Sequence, residues 1–303
     1  MVTPTLARAA ALAASPFLEL PTRLVLIRHG QAMHNPRAEA ARAEGCSFER
    51  FFDIMKEDDA FDAPLTELGK DQAQRGEARF GKYLRDAELL VASPLSRALQ
   101  TADLMLPPAE AAEAGAPSRV VLESLREING ALLNAKRRER ADLERTFHPT
   151  WDFGLLPETD ESWTEELEPQ EECAERGYQS LLWLAKRPER FIVVVAHGGL
   201  LQFVLRDHPD VTVLDGRTGV DSGTGPNGDD DGDGKRRSVE GRFSNCEARA
   251  FDLEVSMKED PTGDTTELRP TVILTEVDLD GGGSAEDANT GRAEEGKAES
   301  QEL

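Results

Sequence analysis

A chain of 303 residues can bury a substantial core, as one large α/β domain or two small ones. Its formal net charge of −23 excludes nucleic-acid binding by general electrostatic attraction, and it requires any phosphate-ester pocket to be built locally from arginines inside a negative global field. No apolar stretch approaches the roughly 18 residues of a membrane span, so a membrane partner is not expected.

Three scattered cysteines, Cys46, Cys173 and Cys246, make neither a disulfide framework nor a CxxC metal site and point to a reducing compartment, the cytoplasm. The alanine-rich residues 1–21 carry one arginine, Arg8, and read as a disordered leader. Their low acidity leaves an organelle transit peptide as the alternative.

In chain order, Leu24-Val25-Leu26-Ile27 is the first apolar run and predicts a buried strand. Thr66 is placed as the N-cap of a helix to about Arg85, with Glu67 and Asp71 in its first turns and apolar residues at Leu68, Ala73, Phe80 and Leu84. Leu89 to Ala92 predicts a second strand, and a helix from Leu95 to Leu106 follows, ended by Pro107-Pro108. Val120 to Leu122 predicts a third strand and Lys136 to Phe147 a helix. A helix from about Glu171 to Arg187 precedes Pro188, Phe191 to Ala196 predicts the fourth strand, and another helix runs from Gly199 to Leu205.

This alternation predicts an α/β fold, a three-layer α/β/α sandwich on a mainly parallel central sheet. Glu247 to Leu253 and Thr271 to Val277 alternate as two last strands. The predicted domain is 22–280, with a flexible acidic insertion near 215–238, where Asp221 to Gly234 holds five acids and no base. Residues 281–303, with six acids against two bases, read as a disordered tail.

Three strand ends carry the chemistry. Arg28-His29-Gly30 closes the first strand, where α/β folds place their ligands. A neutral histidine there can attack phosphorus and split one displacement into two, and an adjacent arginine can hold phosphoryl oxygens bidentately. Gly30 is expected to let the backbone turn sharply toward an anion. Ser93-Pro94-Leu95-Ser96-Arg97 follows the second strand and puts Arg97 in the first turn of a helix, an anion-binding position. Val195-Ala196-His197-Gly198-Gly199 repeats the layout with a second histidine.

These residues resemble the histidine phosphatase (phosphoglycerate mutase-like) superfamily. The matching positions are Arg28-His29-Gly30 with Asn35, Pro64-Leu65-Thr66 with Gly69, Ser93-Pro94-Leu95 through Arg97 and Thr101, and His197-Gly198. The resemblance implies a phosphorylated nucleophile at His29, a phosphoryl group bound by Arg28, Arg97 and His197, and an auxiliary contact from Asn35. Glu123 to Gly130, Lys136-Arg137-Arg138, Asp160-Glu161 with Trp163, and Phe243 to Glu247 look like the phosphoglycerate mutase-like proteins of plants and fungi, which extends the match to about Phe251.

The function this implies is a metal-independent phosphatase of a small phosphorylated metabolite, with no cofactor. A mutase using the same residues and a silent phospho-ligand binding module are the alternatives. Glu127 fits the position of the family's usual proton donor, with Asp160 or Glu161 as competitors. Specificity is assigned to a cap-like region, about Arg37 to Asp62 and Lys136 to Glu172.

Four features are read as bland. Asp229, Asp231, Asp233, Gly234 and Glu240 match a calcium-loop spacing, but Lys235-Arg236-Arg237 puts positive charge in the loop, so calcium is not expected. His34, His148 and His208 read as surface or structural histidines, with His34 bordering the pocket at most. Cys246 reads as a small buried hydrophobe, and Trp163 as core or pocket wall.

Overall fold

A computed structural model describes residues 21–58, 60–106, 117–147, 149, 151–216, 242–257 and 269–279. The leader 1–20, the calcium-like loop, His148, the tail and most of the predicted insertion lie outside the described residues.

Seven strands make one sheet. In chain order they are β1 (Thr22–Arg28), β2 (Leu89–Ala92), β3 (Ser118–Val121), β4 (Phe191–Ala196), β5 (Val211–Asp215), β6 (Ala248–Met257) and β7 (Pro270–Val277). Their spatial order is β3-β2-β4-β1-β6-β7-β5. Neighbours pair in parallel except β6, which runs antiparallel to both β1 and β7. The sheet is therefore mainly parallel, as the alternation of elements predicts.

The helices are α1 (Asn35–Ala43), α2 (Phe48–Lys56), α3 (Glu67–Leu84), α4 (Ser96–Met105), α5 (Arg140–Phe147), α6 (Gln170–Ala185) and α7 (Gly198–Gln202), the last continuing as a π turn to Asp207. Period-two alternation in the central strands sends side chains to two cores. Val25, Ile27, Val193 and Val195 pack with Ala73 of α3 and Leu99 of α4. Leu24, Leu26, Ile192 and Val194 pack on the other face with Leu181 of α6 and Leu200 of α7. Helices on both faces explain why these strands are apolar throughout. Each fully buried aliphatic side chain contributes roughly 1.5–3 kcal/mol relative to exposure.

Thr66 caps α3 as expected, its hydroxyl accepting the Gly69 N–H at 2.9 Å. Among the described residues, no helix is long and apolar enough to cross a membrane.

Two expectations need correction. The helix predicted from Lys136 forms only from Arg140; Leu133–Ala135 is a short 3-10 turn instead. Tertiary bonds override the local pattern there, because the Arg137 N–H goes to Asp160 at 2.8 Å and its buried guanidinium to Glu123, Pro157 O and Thr159 O. Strand β5, which the sequence reading passed over, forms the sheet edge beside β7 and ends at Asp215, where the insertion was expected to start. Close packing also requires glycine at position 30, since a Cβ there would lie 2.6 Å from the Gly69 carbonyl oxygen.

Candidate active site

The strand ends expected to carry the chemistry meet at the carboxyl edge of β1, β2 and β4. His29 leaves β1 with its backbone N–H on Ala196 O at 3.0 Å, which ties it to the end of β4. His29 Nδ1 lies 2.6 Å from Gly30 O. A carbonyl only accepts, so Nδ1 carries the proton and Nε2 keeps the lone pair a nucleophile needs. Arg97 Nε donates to that Nε2 at 3.2 Å. The His197 ring stands edge-on to His29 with centroids 5.0 Å apart, its Nε2 2.7 Å from Ser93 Oγ.

Arg97 is fully buried. The Asp62 carboxylate caps the helix it rides on, accepting the Ser96 N–H at 2.8 Å and the Ser96 hydroxyl at 2.5 Å. Arg97 Nη1 donates to Asn134 O at 2.7 Å, and among the described residues its Nη2 has no partner and the guanidinium forms no ion pair. Burial pulls its pKa down to about 10, far enough above neutrality to keep the charge.

The same burial, followed by the charge of Arg97, holds His29, His34 and His197 well below the usual histidine value. At pH 7 the pocket therefore sets the guanidinium groups of Arg97 and Arg28 among neutral imidazoles. Around Arg97, the buried Arg28 Nε, His34 Nδ1, Asn134 Nδ2 and His197 Nδ1 also lack a partner among the described residues.

Two glycines make the His197 turn possible. A Cβ on Gly198 would come 3.1 Å from Arg28 Nε, and one on Gly199 would collide with the Glu127 carboxylate. Glu127 thereby reaches the start of α7. Arg28 itself is braced by Nη1 on Phe243 O at 2.7 Å, a contact from the late Phe243 to Glu247 segment.

The structure thus gathers Arg28, His29, Arg97, Glu127 and His197, while Asn35 sits behind them. Its Oδ1 accepts the Ala32 N–H at 2.8 Å and its Nδ2 faces His34 at 3.1 Å. His34 is buried rather than on the surface, 5% exposed, and it borders the pocket with its ring centroid 6.5 Å from that of His29. His208 is structural, stacked on Tyr178 and 3.1 Å from Glu175. Cys246 is buried, as expected.

The competing acids are elsewhere. Asp160 is gripped by Arg126, and Glu161 is exposed. Asn134 was missed altogether. No pattern in Leu133-Asn134-Ala135 marks it, since only tertiary bonds bring that turn to Arg97. Among the described residues, no group of three or more His, Cys, Asp or Glu side chains could hold a metal ion.

Residues 24–218 match the model of the histidine phosphatase superfamily, branch 1. The chain belongs to that superfamily. Phosphoglycerate mutase-like protein 1 of Arabidopsis thaliana is 30% identical, over 75% of this chain and 79% of its own length. The probable phosphoglycerate mutase PMU1 of Saccharomyces cerevisiae is also 30% identical, over 63% of this chain and 74% of its own. A solved structure, Mycobacterial hydrolase 1, is 19% identical with a TM-score of 0.43, covering 84% of this chain and 98% of that one. The match to the histidine phosphatase superfamily spans the strand-end residues from Arg28-His29 to His197-Gly198.

Proposed function

We propose that the protein is a metal-independent phosphatase that hydrolyses a small phosphorylated metabolite through phosphohistidine at His29. The observation that carries this reading is the wholly buried Arg97 with a free Nη2 and no ion pair among the described residues, beside a histidine whose Nε2 lone pair faces it. Burying a charge costs several kcal/mol unless an opposite charge compensates it, and a phosphoryl group is the anion that also uses the nucleophile.

In this reading the oxygens of the transferring group replace missing partners at Arg28, Arg97 and His197, while Asn35, which the resemblance makes an auxiliary contact, has its amide engaged by Ala32 and His34. His29 Nε2 bonds to phosphorus as the ester P–O bond breaks, while the Nδ1–H on Gly30 O supports the positive ring that results. Glu127 gives a proton to the leaving oxygen and later takes one from the water that releases phosphate. A mutase would use the same residues and differ only in its acceptor, a second substrate hydroxyl in place of water.

Purified protein, assayed on a panel of phosphomonoesters, should release inorganic phosphate, and His29→Ala should lower turnover by about a thousandfold or more. Acid-labile phosphate should appear on His29 by mass spectrometry of the trapped enzyme. Phosphate on another residue would defeat the covalent route, and isomer formation from 3-phosphoglycerate without phosphate release would make the enzyme a mutase.

A further inference from the structure

A chain of hydrogen bonds runs from the backbone into the site through two residues. The Ala32 N–H can only donate, so the Asn35 atom 2.8 Å from it must be the amide oxygen. That fixes the orientation of the amide and turns its NH2 toward His34 Nε2, 3.1 Å away. An NH2 group only donates, so His34 Nε2 must accept, and the ring proton of the neutral imidazole is left on Nδ1. This Nδ1 is buried and has no partner, on a residue 5% exposed whose ring lies 6.5 Å from His29. A buried N–H without an acceptor is costly, and water or a ligand is what ordinarily satisfies it.

We propose that His34 is a substrate-contacting residue, donating its Nδ1–H to an oxygen of the bound phosphoester, and that Asn35 is a positioning residue that fixes the His34 tautomer. The inference rests on the phosphoester reading above and adds to it a contact made by a neutral donor. Burial first, then Arg97 and Arg28, hold His34 well below the ordinary histidine value, so it stays neutral at pH 7. The residue then adds direction to the pocket without adding charge.

Substitutions can separate a donor from a filler. The amide nitrogen of asparagine falls near the place of a histidine Nδ1, that of glutamine near Nε2. Inorganic phosphate is the probe, as a competitive inhibitor and as a bound ligand. His34→Ala and His34→Gln should weaken phosphate binding by about ten- to a hundredfold, the range for a hydrogen bond to a charged group, and His34→Asn should recover most of it. Melting curves of each variant check that it is folded. The 15N spectra of histidine-labelled protein should show His34 protonated at Nδ1 in the wild type and at Nε2 in Asn35→Asp, because a carboxylate can only accept.

Unchanged phosphate affinity in His34→Ala, a loss that His34→Asn does not recover, or an unprotonated Nδ1 in the wild type would each overturn the proposal. Wild-type protein that neither binds phosphate nor turns over phosphoesters would overturn the functional reading on which it stands. Turnover in the wild type together with indifference at His34 would overturn this inference alone.

Discussion

Glu127 closes the start of the helix that follows His197: its Oε2 accepts the Gly199 N–H at 3.1 Å and its Oε1 the Leu200 N–H at 2.9 Å. The Ile128 N–H adds a third donor at 3.0 Å. The candidate acid thus also holds the turn that carries the second site histidine. Glu127→Gln should slow hydrolysis of alkyl phosphates by about a hundredfold or more, and that of p-nitrophenyl phosphate much less, because nitrophenolate leaves without a proton. Loss of the charge at the helix start should also cost about 1 kcal/mol of stability. Equal kinetic damage to both esters, measured as kcat/KM, would reduce Glu127 to the helix cap alone.

Asp160 provides the contrast. Burial alone would raise its pKa, but the hydrogen bonds and charge of Arg126 hold it below the usual carboxylate value, and such a group is a poor proton donor. It accepts both Arg126 Nη1 at 2.6 Å and Nη2 at 2.9 Å, in the region that fixes the turn around Asn134. Asp160→Asn should therefore destabilise the protein by about 3 kcal/mol, the scale for breaking a buried pair, and should affect both ester types alike. Urea denaturation and the same two assays decide it; a selective loss on alkyl phosphates would transfer the acid role to Asp160.

Arg97 reaches His29 through Nε and Asn134 O through Nη1, and the third nitrogen is left for a ligand. Lysine has one nitrogen for these three tasks. Arg97→Lys should accordingly be nearly as damaging as Arg97→Ala, by about a hundredfold or more and chiefly in kcat. Activity of Arg97→Lys near that of the wild type would mean that the site needs only a positive charge.

The parts of this site that were legible in sequence are those built by one segment at a time. Leu24 to Ile27 and Phe191 to Ala196 announce buried strands, and a reactive residue at each end follows from where α/β folds bind ligands. His34 was legible only as a residue bordering the pocket, because a single histidine before a helix has no pattern. Its place depends on Asn35 turning back onto Ala32.

Asn134 lies deeper still. The carbonyls of Leu132, Leu133, Asn134 and Ala135 are taken in turn by Trp163 Nε1, the Asp62 N–H, Arg97 Nη1 and Arg126 Nη2. Asp62, Arg97 and Trp163 come from distant segments, and no local window contains them. The shortened α5 has the same origin, since the bonds of Arg137 replace the helical turn that its sequence favours.

The three site histidines also set a dependence of stability on pH. Each is held well below the ordinary histidine value of 6.5, mainly by burial and then by Arg97, so each is neutral in the folded protein and protonates on unfolding below that pH. The unfolded chain then binds more protons than the folded one, and stability rises with pH across this window. Each histidine can contribute up to about 1.4 kcal/mol per pH unit below 6.5. Asp62 and Asp103, raised by burial, act in the opposite sense but only as the pH nears the carboxylate range. Urea unfolding without phosphate should therefore give a stability that is level from pH 8 to 7 and falls by several kcal/mol between about pH 6.5 and 5. His34→Asn should make that fall shallower by about one proton. Stability independent of pH down to 5 would mean that the imidazoles take up protons in the folded protein, and the picture of neutral imidazoles beside the guanidinium groups of Arg97 and Arg28 would then be wrong.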